Sequence, residues 1–234
     1  MSSGTLRILS LAAAGVAVAA GGFAVRGGKS FARSQPVLQI TSPTAGTVVN
    51  PGQTVTVIVA ASGATFQAVG IMCDTPLGCD LVLSSPPYRF PVKIPASAQI
   101  AAGTYTLNAT GVISPGQSLD SPNISMDVEP ATAITAIRLS TKSITFQEVV
   151  GKSPLMVWGT FADGSVMDIT KSSRTTYSSG NPKIATVSST GVVTAVGHDT
   201  MSATPVVINY ADQTATAHAT VQVSTRLLPP DPAP

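Results

Sequence analysis

The sequence predicts an all-β chain built as two tandem sandwiches, and three observations predict it. The first is composition. Of 234 residues, 44% are apolar and only 10% charged, and Thr, Ser, Val, Ala, Gly and Pro abound, which suits short strands and many turns better than helices. The second is alternation: Val55, Val57 and Val59 fall on one face of one run, Tyr105, Leu107 and Ala109 on one face of another, as in half-buried strands. The third is a restart. After Pro130-Ala131-Thr132, read as a short linker, the strand and turn pattern begins again at Ile134 and runs to Val223.

Residues 1–25 come before both units. Ile8 to Ala20 is an apolar run behind Arg7, with small-residue stretches at its end, Ala17-Val18-Ala19, and just after it, Gly22-Phe23-Ala24, the make-up of a cleavable export signal. The same stretch also fits an uncleaved membrane anchor, because Ile8 to Val25 carries no charge and about 17 to 25 apolar residues suffice to span a bilayer. No Cys follows the run, so a lipid-anchored lipoprotein is not supported. Either way the body of the chain is expected outside the cytoplasm, secreted, at the cell surface or in a periplasm.

Residues 36–129 form the first predicted sandwich. Its strands are expected at Val37 to Ile40, Thr54 to Ala60, Ala68 to Cys73, Cys79 to Leu83, Tyr88 to Ile94, Gly103 to Val112 and Asn123 to Val128. Turn formers separate them, among them Asn50-Pro51-Gly52, Ser85-Pro86-Pro87 and Ser114-Pro115-Gly116, and seven strands at this spacing imply a sandwich. Cys73 and Cys79 flank Asp-Thr-Pro-Leu-Gly, a spacing that suits a disulfide across the mouth of a hairpin, and two cysteines in an exported chain usually pair. Two free thiols are the alternative. A zinc role is disfavoured, since such a site needs four ligands and no histidine lies nearby.

Residues 133–224 form the second. Strands are expected at Ile137 to Ser140, Ser143 to Phe146, Pro154 to Phe161, Arg174 to Ser178, Ile184 to Val187, Val192 to Val196, Met201 to Asn209 and Ala215 to Val223. Ser188-Ser189-Thr190-Gly191 supplies a tight connection in which Gly191 takes positive φ. Ala185 and Val187 then share a buried face with Val193 and Ala195, leaving Thr186 and Thr194 on the other. Trp158 and Tyr177 are expected to plug this core, because lone large aromatics in small sandwiches usually bury. Sugar stacking is the alternative role for Trp158. Residues 225–234 are a Pro-rich tail that cannot pack as a strand.

The second unit carries the most specific pattern in the chain: Asp163-Gly164-Ser165, Asp168-Ile169-Thr170, Tyr177-Ser178-Ser179-Gly180-Asn181-Pro182, Ala185, Val187-Ser188, Gly191 and Val193-Thr194-Ala195. This pattern resembles the group 2 bacterial immunoglobulin-like domain, the module repeated in intimin- and invasin-type surface proteins. Tyr177 stands where that family usually has Trp, and Asp199-Thr200 where it has a Gly-Thr pair. In the first unit, Ile40-Thr41-Ser42-Pro43, Pro51-Gly52-Gln53-Thr54-Val55, Pro87-Tyr88-Arg89-Phe90 and Ala102-Gly103-Thr104-Tyr105 look like a second kind of bacterial Ig-like module. The resemblances imply two tandem immunoglobulin-like β-sandwiches.

Chemistry is sparse. Arg7, Arg26, Lys29 and Arg33 supply four of the thirteen basic residues, leaving nine against eleven acidic ones after residue 35, a net of −2, which argues against a nucleic-acid partner. No Gly-x-Ser-x-Gly, His-Glu-x-x-His or phosphate-loop pattern occurs. Neither His198 nor His218 has a partner at recognisable spacing, and Asp163 and Asp168 read as turn and strand-end residues, with calcium at Asp163, Asp168 or Glu129 a minor alternative. No cofactor is expected. The expected role is therefore non-enzymatic: structural or adhesive, with weak binding of an extracellular protein or polysaccharide, and assembly into a larger surface structure is a further expected partner role. The alternative is an accessory carbohydrate-binding protein, for which Trp158 or Tyr88 would supply the contact. Amino-terminal sequencing of the mature protein should find a start between about Ala20 and Val25; an intact Met1 in the membrane fraction would indicate an anchor.

Overall fold

The structure, a computed structural model, describes residues 35–147, 149–197, 203–212 and 216–225. The export segment 1–25, the tail from 226 onward, His198 and Asp199-Thr200 lie outside the described residues. All the regular structure described is β. In the first module the strands are β1 (Val37–Ser42), β2 (Thr47–Val49), β3 (Thr54–Ser62), β4 (Ala68–Cys73), β5 (Leu81–Leu83), β6 (Tyr88–Lys93), β7 (Gly103–Ser114), β8 (Gln117–Asp120) and β9 (Ile124–Val128). The second module begins with β10 (Ile134–Leu139), β11 (Ser143–Phe146), β12 (Lys152–Pro154), β13 (Val157–Phe161) and β14 (Val166–Asp168). It ends with β15 (Thr175–Ser179), β16 (Ala185–Val187), β17 (Val192–Ala195), β18 (Thr204–Ala211) and β19 (Thr216–Thr225).

Both modules follow one plan. In each, the chain enters antiparallel to a strand of one sheet and then crosses to pair parallel with the module's last strand. In the first, β1 pairs β3 and β2 pairs β9; in the second, β10 pairs β13 and β11 pairs β19. The switch follows Ser42-Pro43, a cis peptide, in one and Ser140-Thr141-Lys142 in the other. One chain segment thus ties both sheets of a sandwich together. The first module opposes β1-β3-β6 to β2-β9-β7-β4-β5, with β8 added beside β7. The second contains β10-β13-β14, β12-β17-β16 and β11-β19-β18-β15, and these two tandem immunoglobulin-like β-sandwiches bury the period-2 faces of their strands.

Burial follows parity. Val57 and Val59 are buried with Tyr88, Phe90 and Val92 across the β3–β6 pairing, and Leu107 and Ala109 with Val69 and Ile71 across β4–β7. Ser121 interrupts the edge between β8 and β9, and its buried hydroxyl accepts from the Ala109 N–H (2.8 Å) and donates to the Pro122 carbonyl (3.1 Å). The break therefore leaves no polar group unpaired there.

The cysteines form a disulfide beyond the β4–β5 hairpin. Between them Leu77 is buried, and Asp74 joins the loop to β7 by accepting from the Thr106 N–H with its carboxylate (2.7 Å) and donating its own N–H to the Thr106 carbonyl (3.0 Å). Closing so short a loop contributes roughly 2 kcal/mol by chain entropy.

The hairpin of the second module has the expected register, Ala185↔Ala195, Thr186↔Thr194 and Val187↔Val193. Ala185, Val193 and Ala195 are buried and Thr186 is exposed. Gly191 has φ 77°, and a Cβ there would lie 2.7 Å from the Leu155 carbonyl and 2.9 Å from Thr170 Cγ2. Both the backbone and the close approach of two loops exclude a side chain. Gly191→Ala should accordingly lower stability by about 2 kcal/mol in chemical denaturation, whereas the same change at Gly116, where a Cβ meets nothing within 4 Å, should cost only the strain of its positive φ.

Candidate functional site

The segment Asp168–Arg174 of the second module meets the end of β9 and the start of β7 of the first. Glu129 follows β9, and its backbone belongs to the first module: its N–H donates to the Val49 carbonyl (3.0 Å), and its carbonyl accepts from Asn50 Nδ2 (2.8 Å). Its side chain points the other way. Only 1% exposed, the carboxylate accepts from Ser172 Oγ (2.7 and 2.9 Å), the Ser173 N–H (3.1 Å) and Ser173 Oγ (3.2 Å). Ser172 is itself buried, accepts from the Arg174 N–H (3.1 Å), and sits in a turn closed by Ser172 N–H to Ile169 (3.2 Å) and Thr175 N–H to Ser172 (3.1 Å). The turn thus aims hydroxyls and one N–H at an incoming anion. Arg174 reaches toward the Pro130 carbonyl (3.4 Å) and the Tyr210 hydroxyl (3.5 Å). Pro130, read from the sequence as linker, is buried.

A second tie lies alongside. The Ala102 N–H donates to the Asp168 carbonyl (2.7 Å), and Gly103, φ 144°, lies so close to Lys171 that a Cβ would be 3.2 Å from its carbonyl oxygen. Between these ties and the solvent runs a cleft of about 670 Å³, lined by Thr75 and Tyr105 of the first module and Met156, Asp168, Lys171 and Thr190 of the second. The Tyr105 hydroxyl donates to the Ala101 carbonyl (2.9 Å), which fixes the ring. Burial raises its pKa, helped by the Asp168 and Asp74 carboxylates.

The residues singled out from sequence distribute unevenly. Tyr177 borders the core with its hydroxyl on the Thr170 carbonyl (2.9 Å), and burial pushes its pKa far up. Trp158 is a correction. On β13, Val157, Gly159 and Phe161 are buried, so Trp158 and Thr160 face outward by alternation. The Phe161 ring fills the space over Gly159 and meets Tyr210 edge-on at 6.0 Å, so the interior already holds its aromatics. Trp158 is instead partly exposed, with the Arg138 guanidinium 5.1 Å over its ring. Tyr88, by contrast, is buried, so it offers no ring to a ligand.

Asp163 and Asp168 cap turns. Asp163 accepts from the Ser165 N–H (2.9 Å), and the Ser165 hydroxyl and N–H lower its pKa. Asp168 accepts from the Thr170 N–H (2.9 Å) and hydroxyl (2.6 Å). Among the described residues no three His, Cys, Asp or Glu side chains gather where they could hold a metal ion; the side chains of His198 and His218 lie outside them. Sequence reasoning missed the Glu129 clamp, the Gly103–Lys171 approach and the Arg138–Trp158 contact. Only the last left a signal, in the apolar alternation of Leu155, Val157, Gly159 and Phe161.

Residues 36–109 match the family described as a bacterial Ig domain. The bacterial Ig-like identification is thus met by a family match in the first module, while the group 2 pattern lies in the second. Among solved structures, the fibronectin(III)-like modules of Clostridium thermocellum CbhA are similar at 24% identity over 39% of this chain and 94% of theirs, with TM-score 0.33. Extracellular domains 3–5 of Drosophila OTK align at 13% identity over 80% of this chain and 66% of that one, TM-score 0.36. The D00-D0 domain of intimin aligns at 13% identity over 80% and 99%, TM-score 0.31. No curated protein matches the chain.

A buried carboxylate stripped of its donors is costly, and so are donors stripped of their carboxylate. Glu129→Ala should therefore destabilise the protein by about 3 kcal/mol and broaden the distribution of inter-module angles in small-angle scattering. Unchanged melting and scattering would show that the seam does not depend on this side chain.

Proposed function

We propose that the chain is an exported, non-catalytic module that acts outside the cytoplasm as a structural and adhesive element, making weak contacts with an extracellular protein or polysaccharide. The observation that carries this reading is the match of residues 36–109 to the bacterial Ig domain. The Cys73–Cys79 disulfide supports an oxidising compartment. The seam held by Glu129 suits a spacer whose two halves keep a fixed orientation, and the turn-capping roles of Asp163 and Asp168 account for the carboxylates without catalysis. Because fold does not name a ligand, the binding role rests on surfaces rather than on the sandwich. Weak contacts become effective by repetition on a surface, where effective concentration raises avidity by about 10² to 10⁴.

The test is attachment of bacteria displaying the full chain to a protein matrix and to a polysaccharide matrix, beside Asp163→Ala, His198→Ala and His218→Ala variants checked for expression and folding. Attachment above that of cells lacking the protein, unchanged by the three substitutions, is expected. Loss of attachment in one folded variant would point to a discrete metal or catalytic site and sink the structural reading.

A further inference from the structure

The outward position of Trp158 is unusual for the only tryptophan in the chain, since a side chain of this size normally contributes most when buried. Its neighbours give it a context. Across β10–β13 its partner is Arg138, and across β13–β14 it is Asp168; directly opposed residues on one sheet face lie about 4.5–5.5 Å apart at Cβ. Two residues back, Met156 is 44% exposed. Met156 and Asp168 also line the inter-module cleft. The tryptophan row therefore continues into the cleft, where the fixed Tyr105 ring and the hydroxyls of Thr75 and Thr190 lie.

We infer that Trp158 and the inter-module cleft together form a binding site for a neutral glycan chain. This rests on the proposed extracellular binding role and names the ligand class within it. The chemistry fits in three respects. An aromatic ring offers an apolar face to the C–H face of a sugar, and Trp158 and Tyr105 supply two, one on the shelf and one in the cleft. Threonine hydroxyls, the Arg138 guanidinium and the Asp168 carboxylate offer donors and acceptors that match ring hydroxyls. Two cations, Arg138 and Lys171, stand with two carboxylates, Asp168 and Asp74, without the clustered charge of one sign that an acidic polymer would require. The cleft, about 670 Å³, lies within the roughly 300–1,000 Å³ of ordinary ligand sites and sits, as many do, between modules. Its walls are pre-set by the Ala102–Asp168 bond and the Glu129 clamp, so little ordering is needed on binding.

Because Trp158 is the sole tryptophan, its emission reports the site directly. The full chain is titrated with cellohexaose, xylohexaose, chitohexaose and isomaltohexaose, following tryptophan emission, with calorimetry for variants. At least one hexasaccharide is expected to give a saturable blue shift. Trp158→Ala should weaken binding at least about tenfold, the size expected for truncating an aromatic anchor. Met156→Arg, which fills the cleft from an exposed position, should do the same while melting as the wild type does. No saturable shift with any of the four, or wild-type affinity in both variants, overturns the site. If the sugars fail while displayed protein still attaches cells to a protein matrix, the glycan inference falls and the adhesive reading stands; if attachment fails on both matrices but the sugars bind, the reverse holds.

Discussion

A carboxylate placed where two β-sandwiches meet must find donors for its oxygens or unfold the contact, and Glu129 finds them all on one turn of the other module. The desolvation of such a group costs several kcal/mol, and hydrogen bonds to a charged acceptor return about 1.5–3 kcal/mol each, so the net gain is modest while the penalty for misplacement is large. The interaction thus acts mainly as a selector of geometry. Once the Glu129 backbone is fixed by Val49 and Asn50, only one position of the Ser172–Ser173 turn satisfies its side chain. That position brings Asp168 to the Ala102 N–H and Lys171 against Gly103. Among the described residues neither module pairs a strand with the other, so this polar clamp and the close backbone contact beside it define the seam.

The shared strand-switching plan explains why the seam lies where it does. In the first module β9 pairs with both β2 and β7, so its end is held from two sides and Glu129 leaves a rigid platform. In the second, the chain enters β10 at once, with the Ala162 N–H bonded to the Ala133 carbonyl (2.9 Å). Only Pro130-Ala131-Thr132 separates these fixed points. A connection this short, with Pro130 buried, gives up most of the freedom a linker normally has.

Strand parity and turn chemistry made much of the fold legible. The Ala185–Ala195 hairpin, the β4 limits and the disulfide follow from alternation, glycine placement and cysteine spacing. Four short elements escaped: β2, β8, β12 and β14, each of three or four residues. Strands so short carry too little alternation to register, and they exist because a neighbouring strand supplies the ladder. The seam was illegible for a different reason. Glu129 looks like any charged residue at a strand end, and nothing local distinguishes Ser172-Ser173 from a solvated turn; burial comes only from the other module. Trp158 shows the opposite failure. Its outward parity could be read from Leu155, Val157, Gly159 and Phe161, but the general preference of tryptophan for interiors outweighed the local pattern.

The outward-facing, partly exposed Trp158 ring and the polar clamp have a common physical consequence. Leaving Trp158 on the outer face forgoes part of the roughly 1.5–3 kcal/mol that full burial of a large apolar side chain can contribute. The core does not need it, because Phe161 and Ile169 already fill the space over Gly159 and Tyr210 packs edge-on against Phe161. Arg138 offsets some of that loss by stacking on the ring, an arrangement worth about 0.5–1 kcal/mol at an exposed site. That is weak enough to be exchanged for a ligand of similar size. A clamp that fixes the cleft wall and an aromatic that is only lightly held therefore place rigidity in the backbone and exchangeability in the surface, the division of labour that lets a pre-set site bind without first paying to order itself.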